Sequence, residues 1–161
     1  MLHLEPITWD NFWEVIELEV STDQKPYLPE VAVYMAQSYV NLSLDYVDQC
    51  LAIYDDAKLI GFTKIVFVPK NIKPYHMDTD SFMIDAFMID LSYQGQGYGR
   101  KSLSLIIDNI KKRYEMGEEF ITLTCFEKNE NAKKLFQSFG FQRIGVKDES
   151  KGLYIYGNRN K

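Results

Sequence analysis

Cysteine is nearly missing from this chain: only Cys50 and Cys125 occur, far apart and in no metal-ligand spacing, each inside an apolar, strand-like segment. Two buried thiols in a reducing compartment are expected, with no metal centre. Histidine is equally sparse, and His3 and His76 stand alone, without the partner motif that a base or ligand needs. No apolar run approaches ~18 residues, the length a membrane-crossing helix requires. The amino terminus, Met1-Leu2-His3-Leu4-Glu5-Pro6, lacks the basic-then-apolar pattern of a secretory leader. A soluble, cytoplasmic protein with no membrane partner is the expectation. Excess positive charge is also lacking. The net charge is −5 and the isoelectric point lies near 5.1, which argues against a nucleic-acid partner or an anionic bilayer. That field favours a cationic partner, although solubility alone also selects mild acidity. Internal repeats and low-complexity tracts are absent.

What is present suffices for a full core. A length of 161 residues with 46% hydrophobic content fits one domain over residues 1–161. A short alternating strand, Leu2 to Ile7, leads through the helix-starting residues Thr8 and Asp10 into a helix with Phe12, Trp13, Ile16 and Val20 at helical spacing. Val15 and Leu18 broaden that face. Pro26 and Pro29 impose a turn, and a second helix, rich in tyrosine, is predicted from about Val31 to Val40. This aromatic-rich pair is a plausible wall for an acceptor molecule. From Cys50 the pattern becomes a hairpin turning at Asp55-Asp56-Ala57-Lys58, followed by a polar loop from Pro69 to Asp80 and a strand from Ser81 to Asp90. Leu103, Ile106, Ile107 and Ile110 mark a long helix ending around Met116-Gly117. Phe120 to Cys125 reads as a buried strand. Ala132, Leu135, Phe136 and Phe139 define a short helix stopped by Gly140, and two terminal strands follow. The order β-α-α-β-β-β-α-β-α-β-β implies a mixed α/β sheet with helices on both faces.

The chain is organised around Phe87-Met88-Ile89-Asp90-Leu91-Ser92-Tyr93-Gln94-Gly95-Gln96-Gly97-Tyr98-Gly99-Arg100-Lys101. An apolar strand enters a turn with glycine at every second position, and the turn opens into a helix that begins with two cations. Successive backbone N–H groups there can converge on an anion such as phosphate. Spacing discriminates among nucleotide motifs. The dinucleotide fingerprint needs Gly-x-Gly-x-x-Gly beside the first strand-helix unit, whereas Gly95, Gly97 and Gly99 come late. A Walker loop needs Gly-Lys before Ser or Thr, and Gly99-Arg100-Lys101-Ser102 fails that test.

The stretch closely resembles motif A of the GNAT superfamily of N-acetyltransferases, Arg/Gln-x-x-Gly-x-Gly/Ala, filled here by Gln94, Gly97 and Gly99. A second family segment, Asn-x-x-Ala, then Leu-Tyr, then Gly-Phe, is matched by Asn129-Glu130-Asn131-Ala132, Leu135-Phe136 and Gly140-Phe141. The resemblance covers nearly the whole chain. It implies a central mixed, mostly antiparallel sheet of about seven strands with helices on both faces. It also implies an enzyme whose cosubstrate, acetyl-coenzyme A, lies against Phe87, Met88, Ile89, Gln94, Gly95, Gln96, Gly97, Tyr98, Gly99, Arg100, Lys101, Asn129 and Phe136. Asn129 can cap a helix at the same time. Dimers are common in the superfamily, so a homodimer is possible.

Amine acetylation requires a neutral nucleophile, and an alkyl ammonium has a pKa near ~10.4, so the site must remove a proton before attack on the thioester. The resemblance implies a thioester along the strand before the glycine turn, with a backbone N–H near Met88 or Ile89 polarising its carbonyl. Asp85-Ala86-Phe87-Met88-Ile89 is similar in register to the acidic-x-Phe-Phe-Val-like strand of spermidine/spermine acetyltransferases, whose acidic residue is a proposed base. Asp85 is therefore the candidate base, with a structural role as the competing reading. Asp90 is expected to shape the turn. Glu19, Glu30 and Asp80 are further carboxylates for an acceptor site. Phe136 departs from the family, where a tyrosine is proposed to protonate the leaving thiolate; Tyr27, Tyr34 or Tyr93 could take over. A thiol with a pKa near ~8.5 also leaves tolerably without help. Leu18 to Leu28 resembles the helix-turn of bacterial spermine/spermidine acetyltransferases, with a Val-x-x-x-Gln-x-x-aromatic pattern. A polyamine is thus the leading acceptor, with Tyr27, Glu30 and Asp85 as its binding residues. Protein amino termini, lysines, other small amines, or a non-catalytic acyl-coenzyme A sensor are the alternatives.

Overall fold

The computed structural model describes residues 1–115, 117 and 120–158. The strands are β1 (Leu2–Pro6), β2 (Asp48–Asp55), β3 (Lys58–Val68), β4 (Ser81–Ile89), β5 (Ile121–Phe126), β6 (Gln142–Asp148) and β7 (Leu153–Gly157). The helices are α1 (Phe12–Ile16), α2 (Val31–Ser43), α3 (Tyr98–Tyr114) and α4 (Glu130–Ser138). Hydrogen bonding gives seven strands in the order β1-β2-β3-β4-β5-β7-β6. The pairs β1–β2, β5–β7 and β6–β7 are antiparallel, and β4–β5 is parallel. A parallel pair needs a crossover, which α3 supplies between β4 and β5. This is the mixed, mostly antiparallel seven-stranded architecture expected from the sequence.

Two compact units share the long elements: Met1–Ile65 with Ala86–Ile106, and Val66–Asp85 with Ile107 onward. In the first, Val15, Val31, Tyr34, Ala52, Phe62 and Met88 form one buried cluster. In the second, Val66, Val68, Met77, Met83 and Ile155 form another.

The first helix is only five residues long, so the anticipated stripe from Phe12 to Val20 does not form along it. Val15 is its buried residue, whereas Trp13 is 65% exposed; Val20 is buried from the loop beyond. Asn11, not Thr8 or Asp10, precedes the helix, and its side chain accepts from Thr8 N at 2.9 Å while donating to Pro6 O at 3.1 Å. Helix α2 runs three residues beyond the predicted end at Val40, to Ser43, and buries Val31, Tyr34 and Ser38 rather than Val33 or Tyr39. A serine belongs to the buried face because of its partner: Ser38 Oγ donates to the Asp48 carboxylate, which also receives Asn41 Nδ2 at 2.6 Å and pairs with Lys64 Nζ at 3.3 Å. Lys64 lies in an otherwise apolar strand and is 2% exposed, a buried charge that hydrophobic patterning does not reveal. Helix α3 ends at Tyr114, with Glu115 left-handed at φ 53°. Met116 of the predicted helix end lies outside the described residues. Among the described residues no helix is long and apolar enough to cross a membrane.

Candidate active site

Strand β4 delivers the site. Side chains alternate along it, so Asp85, Phe87 and Ile89 project from one face and Ala86 and Met88 from the other. The backbone alternates as well. Asp90 N donates to Ile60 O at 2.9 Å, and Thr63 Oγ1 donates to Ala86 O at 2.9 Å, so the polar groups of Ala86, Met88 and Asp90 are turned to β3. Those of Phe87 and Ile89 are turned to the opposite edge. A Cβ on Gly61 would collide with the Met88 carbonyl oxygen, so β3 needs glycine where it passes this part of β4.

Beyond β4 the chain makes a single 3₁₀ turn, Leu91–Tyr93, whose start is capped by Asp90: its Oδ1 accepts from Ser92 N at 2.9 Å. The carboxylate expected to shape the turn does so. Gly95 and Gly97 follow with φ +74° and +82°, a left-handed geometry that favours glycine, and a Cβ on either would stand in open space. The cradle is therefore shaped by glycine conformation while its mouth stays open. Tyr98 starts α3, placing Gly99, Arg100 and Lys101 in the first turn, which holds no acidic residue. The helix dipole's positive end is thus not neutralised from within, as an anion site requires. Gln94 Nε2 bridges the strand end and the segment between α1 and α2, donating to Ile89 O and to Gln24 Oε1, each at 2.9 Å. Gln96 Nε2 donates to Ser92 O at 3.1 Å. The Tyr98 hydroxyl donates to Asp55 Oδ2 at 2.8 Å. This bond raises the Tyr98 pKa and lowers that of Asp55.

Beside this strand end, a cavity of about 710 Å³ has Met88 in its lining. Its polar lining consists of Glu17, Glu19, Glu30 and Lys25, and the remainder is largely apolar, from Ile16 to Val31. Three carboxylates against one ammonium make it an acidic, partly greasy slot. Glu30 and Glu19, two of the anticipated carboxylates, are in it. Glu17 was not foreseen, because a glutamate on a short amphipathic segment looks like ordinary solvated charge. Tyr27, Asp80 and Asp85 are not among its lining residues. Tyr27 lies in the 3₁₀ turn Lys25–Tyr27, and Asp80 instead closes its own loop by accepting from Lys70 N at 2.8 Å.

Asp85 is 11% exposed and pairs with Lys147 Nζ at 3.3 Å; that ammonium also sits 5.2 Å from the centre of the Tyr75 ring. Asn129 caps α4, its side chain accepting from Ala132 N at 3.3 Å. Phe136 is buried. Tyr34, offered as a replacement acid, is packed 6.1 Å from Phe62 in the core, whereas Tyr93 is half-buried beside Tyr98. Burial pushes the Cys125 thiol up to about 12, so it is not a nucleophile near neutral pH. Among the described residues no cluster of His, Cys, Asp and Glu could hold a metal ion.

Comparison with known proteins gives the same direction. Residues 12–141 match the model of the acetyltransferase (GNAT) family. The chain is 29% identical over 154 residues to the spermine/spermidine N(1)-acetyltransferase of Bacillus subtilis strain 168, covering 91% of each chain. A probable spermine N(1)-acetyltransferase from Bacillus subtilis subsp. natto is similar to the same extent. Among solved structures, it is similar to a chimera of spermidine N-acetyltransferase SpeG from Vibrio cholerae and hSSAT, with a TM-score of 0.62 at 16% identity over 96% of this chain and 91% of that one. The ribosomal-protein-S18-alanine N-acetyltransferase of Escherichia coli superposes with a TM-score of 0.61 at 17% identity over 97% and 90%. Because the match spans the strand, the glycine cradle and the helix after it, this chain belongs to the acetyltransferase (GNAT) family.

Proposed function

We propose that the amine acceptor of this acetyl-coenzyme A-dependent N-acetyltransferase is a polyamine such as spermidine or spermine. The observation that carries the proposal is the slot beside the end of β4, with Glu17, Glu19 and Glu30 around an apolar lining. A polyamine is a flexible hydrocarbon chain with ammonium groups at intervals, and this lining offers carboxylates to the charges and methylenes to the spacers. The relatives named for spermine and spermidine support the same acceptor.

The cradle fits the diphosphate of acetyl-coenzyme A. Gly95 and Gly97 leave open the space a side chain would fill, and the bare N-terminus of α3 lies behind them. When bound, the cosubstrate supplies an activated acetyl thioester. Gly95 to Lys101 hold its charge. Of the two expected oxyanion donors, alternation favours the Ile89 N–H, which is turned away from β3, over that of Met88. Asp85, on the face of β4 opposite Met88 and outside the slot, can take the proton that the acceptor ammonium must lose only by way of water. Phe136 cannot protonate the departing thiolate, which with a pKa near ~8.5 leaves with solvent as its proton source. Cys125 is buried with its thiol pushed up to about 12 and offers no acyl-cysteine route, and the reading adopted is direct transfer from thioester to amine in a ternary complex.

Thiol release from acetyl-coenzyme A with spermidine, spermine and peptides bearing free amino termini tests the reading. Polyamines should show the highest kcat/KM, and a higher value for the peptides would overturn it. Glu30→Gln should raise the polyamine KM about fivefold, equivalent to roughly 1 kcal/mol of lost attraction, with the acetyl-coenzyme A KM unchanged. Gly97→Ala should raise the acetyl-coenzyme A KM about tenfold, since alanine in left-handed geometry costs roughly 1–2 kcal/mol and its methyl enters the cradle. Initial-rate kinetics would separate the two effects.

A further inference from the structure

Both tryptophans of the chain lie at its surface, Trp9 80% and Trp13 65% exposed, and the chemistry above uses neither. A single exposed aromatic ring is ordinary, but a contiguous exposed cluster marks a binding surface. These rings are contiguous and held. Trp9 packs against Phe12 with ring centres 5.3 Å apart, and Phe12 meets Trp13 edge-on at 5.1 Å. Phe12 is half-buried, so it anchors the two indoles while most of their surface stays in solvent. The cluster also continues the slot. Helix α1 buries Val15, and its periodicity puts Trp13 and Glu17, four residues apart, together on the opposite side. Glu17 keeps helical backbone angles as the residue that closes α1, so the spacing holds that far. Ile16 and Glu17 line the slot. Side chains so spaced stand about 5–6 Å apart at Cβ, close to the span of the three- or four-methylene spacer between the nitrogens of a polyamine.

We propose that Trp9 and Trp13 form an outer subsite for a distal ammonium of a long polyamine, continuing the acceptor site beyond Glu17 of the slot. Indole presents the ring face that attracts a cation most strongly. The net charge of −5 draws such a cation to the surface, and the carboxylate of Glu17 stands one turn away for the ammonium next along the chain. The two parts then have separate tasks. The slot selects a cationic chain, and the indoles select its length: spermine reaches them, whereas 1,3-diaminopropane keeps both nitrogens in the slot. The inference rests on the polyamine reading of the slot.

Initial rates with spermine and with 1,3-diaminopropane, combined with tryptophan emission, test it. Because the two tryptophans of the chain are both in the subsite, emission reports on it directly. In the unaltered protein, spermine should change the emission saturably, and 1,3-diaminopropane should compete with spermine while leaving the emission nearly unaltered. Trp9→Leu with Trp13→Leu should raise the spermine KM about fivefold relative to that of the diamine, the lower end for two exposed cation–π contacts. Trp9→Phe with Trp13→Phe keeps a ring face at each position and should hold that ratio within about twofold. A rise in both KM values alike in the leucine variant would mean a structural role for the indoles and overturn the subsite. Spermine that is neither acetylated nor bound refutes the polyamine reading and the subsite with it. Spermine that is acetylated with an unchanged KM ratio in the leucine variant, or that leaves the emission unmoved, refutes the subsite alone.

Discussion

Asp85→Asn is expected to lower kcat about 10²–10⁴-fold, the usual worth of a positioned proton acceptor. Asparagine matches aspartate in shape and its amide oxygen can still accept from Lys147, but it cannot take a proton from an ammonium acceptor. The acetyl-coenzyme A KM should stay where it is, because the cradle from Gly95 to Lys101 does not include this residue. A fall in kcat with unaltered cosubstrate affinity identifies a group that acts in the transition state. Asp85 is also part of an ion pair at 3.3 Å with Lys147. Were that pair its whole role, the variant would melt earlier and turn over normally. Steady-state kinetics beside a thermal melt therefore decide between base and structural anchor, and an unchanged kcat removes Asp85 from the mechanism.

Lys64→Ala should destabilise the protein by about 3–5 kcal/mol, the range for removing one partner of a buried ion pair. The Asp48 side chain is fully buried, and loss of its cation leaves a charge supported, among the described residues, by Ser38 and Asn41. The unfolding midpoint should drop by roughly 6–20 °C for a chain of this size. Removing both charges, with Lys64→Met and Asp48→Asn, should recover more than half of the loss, because the deficit belongs to the orphaned carboxylate rather than to the attraction. A loss under about 1 kcal/mol in the single variant, the scale of a solvent-exposed pair, would show that water reaches Asp48. The network ties α2 to β2, and Glu30 and Val31 at the start of α2 line the cavity.

The glycine cradle was legible residue by residue because its requirements are local. Left-handed geometry at Gly95 and Gly97, a strand before them and a helix after them are properties of consecutive residues, and spacing alone separated this turn from other nucleotide loops. Asn129 was readable as a cap for the same reason. Periodicity served less well where an element was short or its buried face was polar. Five residues of α1 cannot carry a stripe, and Ser38 and Lys64 entered the interior through hydrogen bonds that no hydropathy pattern encodes. Glu17 and Lys25 gave no signal at all, since a carboxylate or ammonium in an irregular segment looks the same in solvent or in a slot.

From the sequence by itself came the element order, the glycine turn between strand and helix, the family resemblance and the carboxylates from which an acceptor site could be drawn, all of which depend on neighbours along the chain. Tertiary structure alone decided which carboxylates share a slot, that Asp85 meets Lys147 across 62 positions, and that Glu19 and Gln24 are bonded to the cradle across 71 and 70 positions. Such contacts are set by strand pairing and packing, where a single side-chain oxygen aimed at a distant donor leaves no periodic trace in the sequence.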